Sequence, residues 1–403
     1  MECICSKPWK SLYFAHDKGV RFCCYNQIKL DKEWSGSGLE EVWNGSVAIT
    51  VRQKMLAGDW VGAGCLHCPL VRRLSGAERT HIEQGEVAGK RRENALLAKQ
   101  EFLAKRTHLT SRPVLLHLRP SGVCDLQCVM CDQWNSLNQD NLFDDPSKSQ
   151  VIDEACSECC EILLEGGEIF VQPSSIHFLR ELYLHFGFAG LEGLNIRIIT
   201  NGQHLINLQD VLELFPLLDL TISMDGAVQE TYEAIRHGGS WDNLQLNIRN
   251  FQDLCKIRSG WKYHFNYVVM LSTFFEMYDA ITLAGRSSID INFLPIDGAI
   301  HEKENIFCFN YLLDKETALA YIDKCIKAVQ SYKMRRASTG LIYINKLLNA
   351  DPWITREKLN EMCMSQSVRC KNVVDAANLL HIYKLGSIYT QRSGLEIPDH
   401  GLS

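Results

Sequence analysis

No apolar run in this 403-residue chain approaches the roughly 18 residues needed to cross a membrane, so a spanning helix is not expected. The opening MECICSKPWK also lacks the basic region and following apolar stretch of a secretory signal, and the cytoplasm is the expected location. Basic charge is not in excess, since 42 Lys and Arg face 48 Asp and Glu for a formal net charge of −6. That balance, with no appended basic domain, argues against a nucleic-acid partner and against an RNA-modifying enzyme. Cysteine, in contrast, is abundant. Seventeen thiols in a cytoplasmic protein stay reduced, which favours metal or redox chemistry over disulfides. With 46% hydrophobic and 22% charged residues the composition is that of a soluble globular protein. The length suffices for an α/β catalytic domain of roughly 200 residues plus smaller units.

Four parts follow from the pattern along the chain. Residues 1–75 hold six cysteines, several tryptophans and turn residues, with little long helical periodicity. Residues 76–110 are rich in Ala, Glu, Lys and Arg and read as an exposed helical linker. Residues 111–300 alternate short β-branched runs with amphipathic stretches, which predicts repeated β-α units around a parallel sheet. Residues 301–403 read as a mainly helical extension. Six strands are expected, at 114–118, 161–165, 194–200, 218–224, 263–270 and 289–296. Ligands of such sheets bind at the C-terminal ends of the strands, so motifs placed there should converge.

The loop after the first expected strand is CDLQCVMC, with Cys124, Cys128 and Cys131. A structural zinc site is closed by four ligands, whereas three thiolates on a four-iron cubane leave one iron open for a substrate or cofactor. After the second strand comes EGGEIF: Gly166 and Gly167 allow close backbone approach, and Glu168 could accept from an ammonium group. TNG follows the third, with Asn201, and SMDG the fourth, with Ser223 and Asp225, whose short polar side chains suit ribose hydroxyls. Arg236 is expected on an early helix turn, suited to a carboxylate. Taken alone, the glycine pair and the Asp225–Gly226 step are turns.

Together, in this order over some 180 residues, these motifs resemble the core of the radical S-adenosylmethionine (SAM) enzymes. The resemblance implies a partial (β/α)6 barrel in which Cys124, Cys128 and Cys131 hold a 4Fe-4S cluster whose open iron is chelated by SAM. It further implies that Glu168 meets the SAM amino group, Ser223 and Asp225 the ribose, and Arg236 the carboxylate, with Asn201, Gly166 and Gly167 nearby. The implied reaction is reductive cleavage of SAM to a 5'-deoxyadenosyl radical that abstracts hydrogen from substrate. A reducing partner such as a flavodoxin or ferredoxin is implied with it. Two positions depart from the usual pattern. Met130 stands where many members place an aromatic against adenine, and Ile169 stands where a proline often follows.

The N-terminal part resembles the twitch or SPASM type of auxiliary-cluster domain, a small cysteine-rich β-hairpin and helix unit, although here it precedes the barrel. That resemblance implies an auxiliary 4Fe-4S cluster on Cys5, Cys23, Cys65 and Cys68. Cys24 competes with Cys23, since neighbours on a strand point to opposite faces, and Cys3 could replace Cys5. A zinc knuckle on the same four is the alternative, because C-x2-C is equally a zinc signature. Cys156, Cys159 and Cys160 in CSECC imitate a metal motif but read as buried structural thiols. Cys255, Cys308 and Cys325 are isolated, and Cys363 and Cys370 could reach a cluster only from a folded-back tail. His117, His264 and His301 fall near strand ends, where a lone histidine is usually structural. The expected function is a radical SAM oxidoreductase or maturase acting on a peptide or a small biosynthetic metabolite. A sugar or amino-acid-like dehydrogenase or epimerase of the same superfamily, and a non-catalytic metal-binding protein, are the alternatives.

Overall fold

The computed structural model describes residues 5–15, 19–31, 38–65, 68, 89–131, 140–296, 301, 303–309 and 312–349. Cys3, Cys363 and Cys370 lie outside them. The chain divides into two compact units: residues 1–127, 131–221 and 242–262 form the first, and residues 128–130, 222–241 and 263–403 the second. The fold is α/β with mainly parallel strand pairs, and no described helix is long and apolar enough to cross a membrane.

In the first unit the strand order is β2 (Gly19–Arg21), β1 (Ser11–Ala15), β3 (Leu115–Arg119), β5 (Glu161–Leu164), β6 (Asn195–Thr200) and β7 (Leu217–Ser223), whose last two residues pass into the second unit. A short β4 (Gln127–Cys128) lies in the cysteine loop. β1 pairs antiparallel with β2, Phe14 opposite Val20, and in parallel with β3, Tyr13 opposite His117. The N-terminal hairpin therefore continues the main sheet. Parallel pairing runs on from β3 to β5, His117 opposite Leu163, and from β5 to β6, Leu163 opposite Arg197. Helices Pro146–Cys156 and Pro173–Gly190 connect these strands, each beginning on a proline, whose missing N–H is harmless in the first turn. Along β3, β5 and β6 one face is fully buried, including Leu116, Ile162 and Ile196, while alternate residues are half-buried.

The helix Gly89–Leu103 is not exposed along its length, contrary to the sequence expectation. Arg91 is 4% exposed, and its guanidinium donates to the carbonyls of Cys156, Cys159 and Gly190. Glu101, beyond it, accepts from the backbone N–H and hydroxyl of both Thr110 and Ser111. Charged residues that read as solvated are thus spent on buried backbone groups. Helix Ser46–Leu56 contributes Arg52, fully buried, which donates to the carbonyls of Pro8 at 2.8 Å and Thr107 at 3.0 Å and lies 4.7 Å from the Trp43 ring centroid. Trp43 Nε1 donates to Ser111 O at 2.6 Å and Trp9 Nε1 to Arg106 O at 2.6 Å, so indole and guanidinium donors tie the N-terminal region to the approach to β3.

The second unit contains β8 (Arg236–His237), most of β9 (Trp261–Val269) and β10 (Ile291–Pro295), with β9 and β10 parallel and Tyr267 opposite Phe293. Beyond β10 the described tail is helical, Lys315–Ser331 and Arg335–Asn349. Gly340 lets the last helix approach β10: an added Cβ would stand 2.7 Å from Phe293 O.

Candidate functional site

In the first unit, the loop leading to Cys124 is sewn to the loop after β5. Gly167 N donates to Ser121 O at 3.0 Å, Glu168 N to Val123 O at 2.9 Å and Gln172 Nε2 to Val123 O at 3.0 Å. The glycines permit this contact. A Cβ on Gly167 would stand 1.9 Å from Val123 O, and one on Gly166, at φ 154°, 2.5 Å from Ser121 O.

Glu168 emerges from these glycines fully buried. Its carboxylate accepts from Asn201 N at 2.6 Å, Phe170 N at 3.1 Å and Thr200 Oγ1 at 2.9 Å. Burial nevertheless outweighs these donors and raises its pKa to about 7. Asn201 passes the connection on, its Nδ2 donating to Asp125 Oδ1 at 2.8 Å, and His204 Nε2 stands 2.8 Å from Asp125 Oδ2. One polar chain, Glu168–Asn201–Asp125–His204, therefore unites the EGGE, TNG and CDLQC motifs. Asp125 and His204 were not singled out from sequence, because nothing in a linear pattern pairs side chains 79 positions apart. Leu126 N donates to the Cys124 sulfur at 3.4 Å, and Cys131 is half-buried.

The second unit gathers Cys128, Asp225 and Arg236. Arg236 donates to Asp225 Oδ2 and to the Cys128 sulfur, the latter at 3.6 Å. Burial opposes the guanidinium's charge, but Asp225 and then Cys128 overcome it and hold the pKa above its ordinary value. Asp225, at φ 44°, also accepts from Val268 N at 2.6 Å. The residue expected on an early helix turn caps the C-terminal end of helix Gln229–Ile235 instead, with non-helical φ −104° and ψ 70°. The arginine and aspartate assigned to two parts of one ligand are thus engaged with each other. Ser223 ends β7 half-buried, and Met130 is half-buried in the turn after Cys128.

Among the N-terminal thiols, Cys5, Cys23, Cys65 and Cys68 lie within electrostatic reach of one another. Burial pushes Cys5 up to about 12, and Cys23, Cys68 and Cys65 each add to the shift. Burial likewise raises Cys65 to about 11, against a hydrogen bond from Asn26 Nδ2 at 3.5 Å, with Cys23 and Cys68 contributing. After burial, Cys24 is raised chiefly by Cys23 and Glu165, and it is exposed. Burial and the charge of neighbouring thiolates keep Cys5, Cys23 and Cys65 protonated, and such a cluster is a donor set that a polycation would relieve by holding it as thiolates. Among the described residues no three His, Cys, Asp or Glu side chains are arranged to hold a single metal ion. Cys156 and Cys159 are fully buried and Cys160 donates to Arg91 O at 3.3 Å, as structural thiols do. Cys308 and Cys325 are buried and Cys255 half-buried. His117 contacts Glu165 at 2.7 Å, His264 is buried and His301 half-buried.

No family model and no curated protein matches the chain. Solved structures give weak likenesses. The anSMEcpe structure with bound AdoMet and Cp18Cys peptide is 17% identical over 53% of this chain and 58% of its own, with a TM-score of 0.37. Streptococcus suis SuiB is 14% identical over 77% and 65%, with a TM-score of 0.42, and the same protein bound to precursor peptide SuiA is 15% identical over 84% and 73%, at 0.40. The chain thus spans less than two thirds of the anSMEcpe and first SuiB structures. Likeness at this level leaves the functional reading to the chain's own residues.

Proposed function

We propose that this protein is a radical SAM enzyme with an auxiliary iron-sulfur cluster. The observation that carries the reading is the polar chain in the first unit, which joins three motifs recognised separately in the sequence and ends in a buried carboxylate. In this reading Cys124, Cys128 and Cys131 hold a 4Fe-4S cluster, and Cys5, Cys23, Cys65 and Cys68 hold a second. When bound, the first cluster and SAM supply one-electron cleavage and a radical that takes hydrogen from a peptide or small biosynthetic metabolite, with electrons from a flavodoxin or ferredoxin.

The roles of the chain's residues follow from their surroundings. Glu168, oriented by Asn201, Phe170 and Thr200, receives the ammonium group of SAM. Its burial strengthens that charge pair by excluding water. Asn201 and His204 hold Asp125 and so the backbone of the cysteine loop. N–H donors at sulfur, such as Leu126 to Cys124 and Asn26 to Cys65, stabilise thiolate charge and tune a cluster's potential. Arg236 neutralises charge at Cys128, and in this reading Ser223 and Asp225 meet the ribose hydroxyls, Asp225 while still held by Arg236 and Val268 N.

Electron paramagnetic resonance of the anaerobically reconstituted, dithionite-reduced protein tests the reading. SAM should shift the signal of one cluster and leave the other unchanged. A spectrum indifferent to SAM contradicts the assignment of an open iron.

A further inference from the structure

Parallel strands covered on both faces normally read as continuous apolar runs. This sheet does not. Opposite the buried aliphatic face stand Tyr13 and His117 at the middles of β1 and β3, Arg119 at the C-terminal end of β3 and, just past β5, Glu165. Strand register brings them together, since Tyr13 and His117 are direct cross-strand partners and Arg119 lies two residues further along the same face. The Tyr13 and His117 rings meet edge to face at 4.7 Å, and His117 Nε2 stands 2.7 Å from Glu165 Oε1. Glu165 is deep, yet hydrogen bonding and charge from His117, then charge from Arg119, overcome its burial and hold its pKa below the ordinary value. Arg119 lies beside the Tyr13 hydroxyl, and its Nε is buried with no hydrogen-bond partner among the described residues. A buried donor left unpaired is expensive, and a ligand that supplies the acceptor removes that penalty. Some access remains, because the side chains of His117 and Glu165 are 13% and 28% exposed.

We propose that Tyr13, His117, Arg119 and Glu165 form a substrate subsite that takes a carboxylate, with the Arg119 fork as its donor and the Tyr13 hydroxyl beside it. This rests on the radical SAM reading, for it identifies the substrate class of that same site. Arg119 lies five residues before Cys124, and Glu165 three before Glu168, so these two members of the subsite stand at the strand ends whose loops carry the SAM-facing groups. Planar two-point recognition of a carboxylate is what arginine offers and lysine does not. The carboxylate could belong to a small acid or chain terminus, or to an acidic side chain within a peptide.

Calorimetric titration of the reconstituted full-length protein with SAM bound separates these sources. One probe pair is N-acetylglycine and N-acetylglycinamide; the other is Gly-Glu-Gly and Gly-Gln-Gly, both capped at their termini. We expect the acid of one pair to bind about tenfold or more tighter than its amide, as suits a hydrogen bond to a charged group. Preference in the first pair identifies a small acid or terminus, and in the second an acidic side chain. Arg119→Gln should abolish the preference. Tyr13→Phe, which deletes one hydroxyl, should reduce it about threefold and serves if Arg119→Gln fails to fold. Equal binding of acid and amide in both pairs overturns the inference, as does a preference that survives Arg119→Gln or is untouched by Tyr13→Phe. Formation of 5'-deoxyadenosine by the same sample reports on the enzyme reading independently: the subsite can fail while cleavage persists, and cleavage can fail while the preference stands.

Discussion

At the residue scale, Glu168 concentrates the electrostatics of the first unit. Its folded-state pKa of about 7 lies above its ordinary 4.5 because burial disfavours the anion. Its contribution to the stability of the ligand-free protein is therefore full below pH 4.5 and is lost as pH rises through 7. An ammonium partner reverses the preference. SAM binding at pH 6 should accordingly release about one proton, measured as a dependence of binding heat on buffer ionisation enthalpy, and should release almost none at pH 8.5. The release should vanish in Glu168→Gln. Equal proton release in wild type and variant would show that another group meets SAM. The two adjacent cysteines make a second residue-scale case. Cys24→Ser should leave the iron content unchanged, whereas Cys23→Ser should remove about half of it. The alternation of strand faces left this choice open in sequence. The mutual influence of Cys23 with Cys5, Cys65 and Cys68 is the reason the proposed cluster is assigned to Cys23.

At the scale of elements, the glycines after β5 matter more than their size suggests. Gly167→Ala would place a Cβ against Val123 O, so the loops carrying Cys124 and Glu168 must separate. The expected result is a loss of about 2 kcal/mol or more of stability, within the range for steric conflict in a packed region. Iron at the cysteine trio should fall with it, while the N-terminal cluster stays loaded. A stable, fully loaded Gly167→Ala protein would refute this reading of the loops. Arg52→Met keeps apolar bulk but leaves the carbonyls of Pro8 and Thr107 without their donor. Thermal denaturation should show a loss of about 3 kcal/mol, since buried unsatisfied groups each cost about 1–3 kcal/mol.

The elements also show what a linear reading can and cannot reach. The strands expected at 161–165, 194–200 and 218–224 are found at Glu161–Leu164, Asn195–Thr200 and Leu217–Ser223, because β-branched runs bounded by polar turns declare themselves locally. Pairing β1 with β3 needs a register that no local pattern encodes, and the partners lie about a hundred residues apart. The same limit hid Asp125, His204 and the carboxylate-facing side of Tyr13 and Arg119. Helix Gly89–Leu103 misled for a different reason: its Arg91 looks solvated until the carbonyls it serves are known.

For the whole molecule, the proposed function gives the two sets of thiols two separable metal loads. Anaerobic reconstitution should give about eight iron atoms per chain, falling to about four in Cys128→Ala and in Cys65→Ala. Zinc in place of iron at the N-terminal four would favour the closed knuckle that C-x2-C spacing equally allows. The iron count does not by itself test chemistry. The most direct measurement is 5'-deoxyadenosine formed on adding SAM and dithionite to the loaded protein, with wild type and Cys128→Ala compared side by side. Steady formation by wild type and none by the variant, which keeps its N-terminal cluster, is the predicted result. No nucleoside from wild type carrying its full iron, or equal amounts from both proteins, would contradict it.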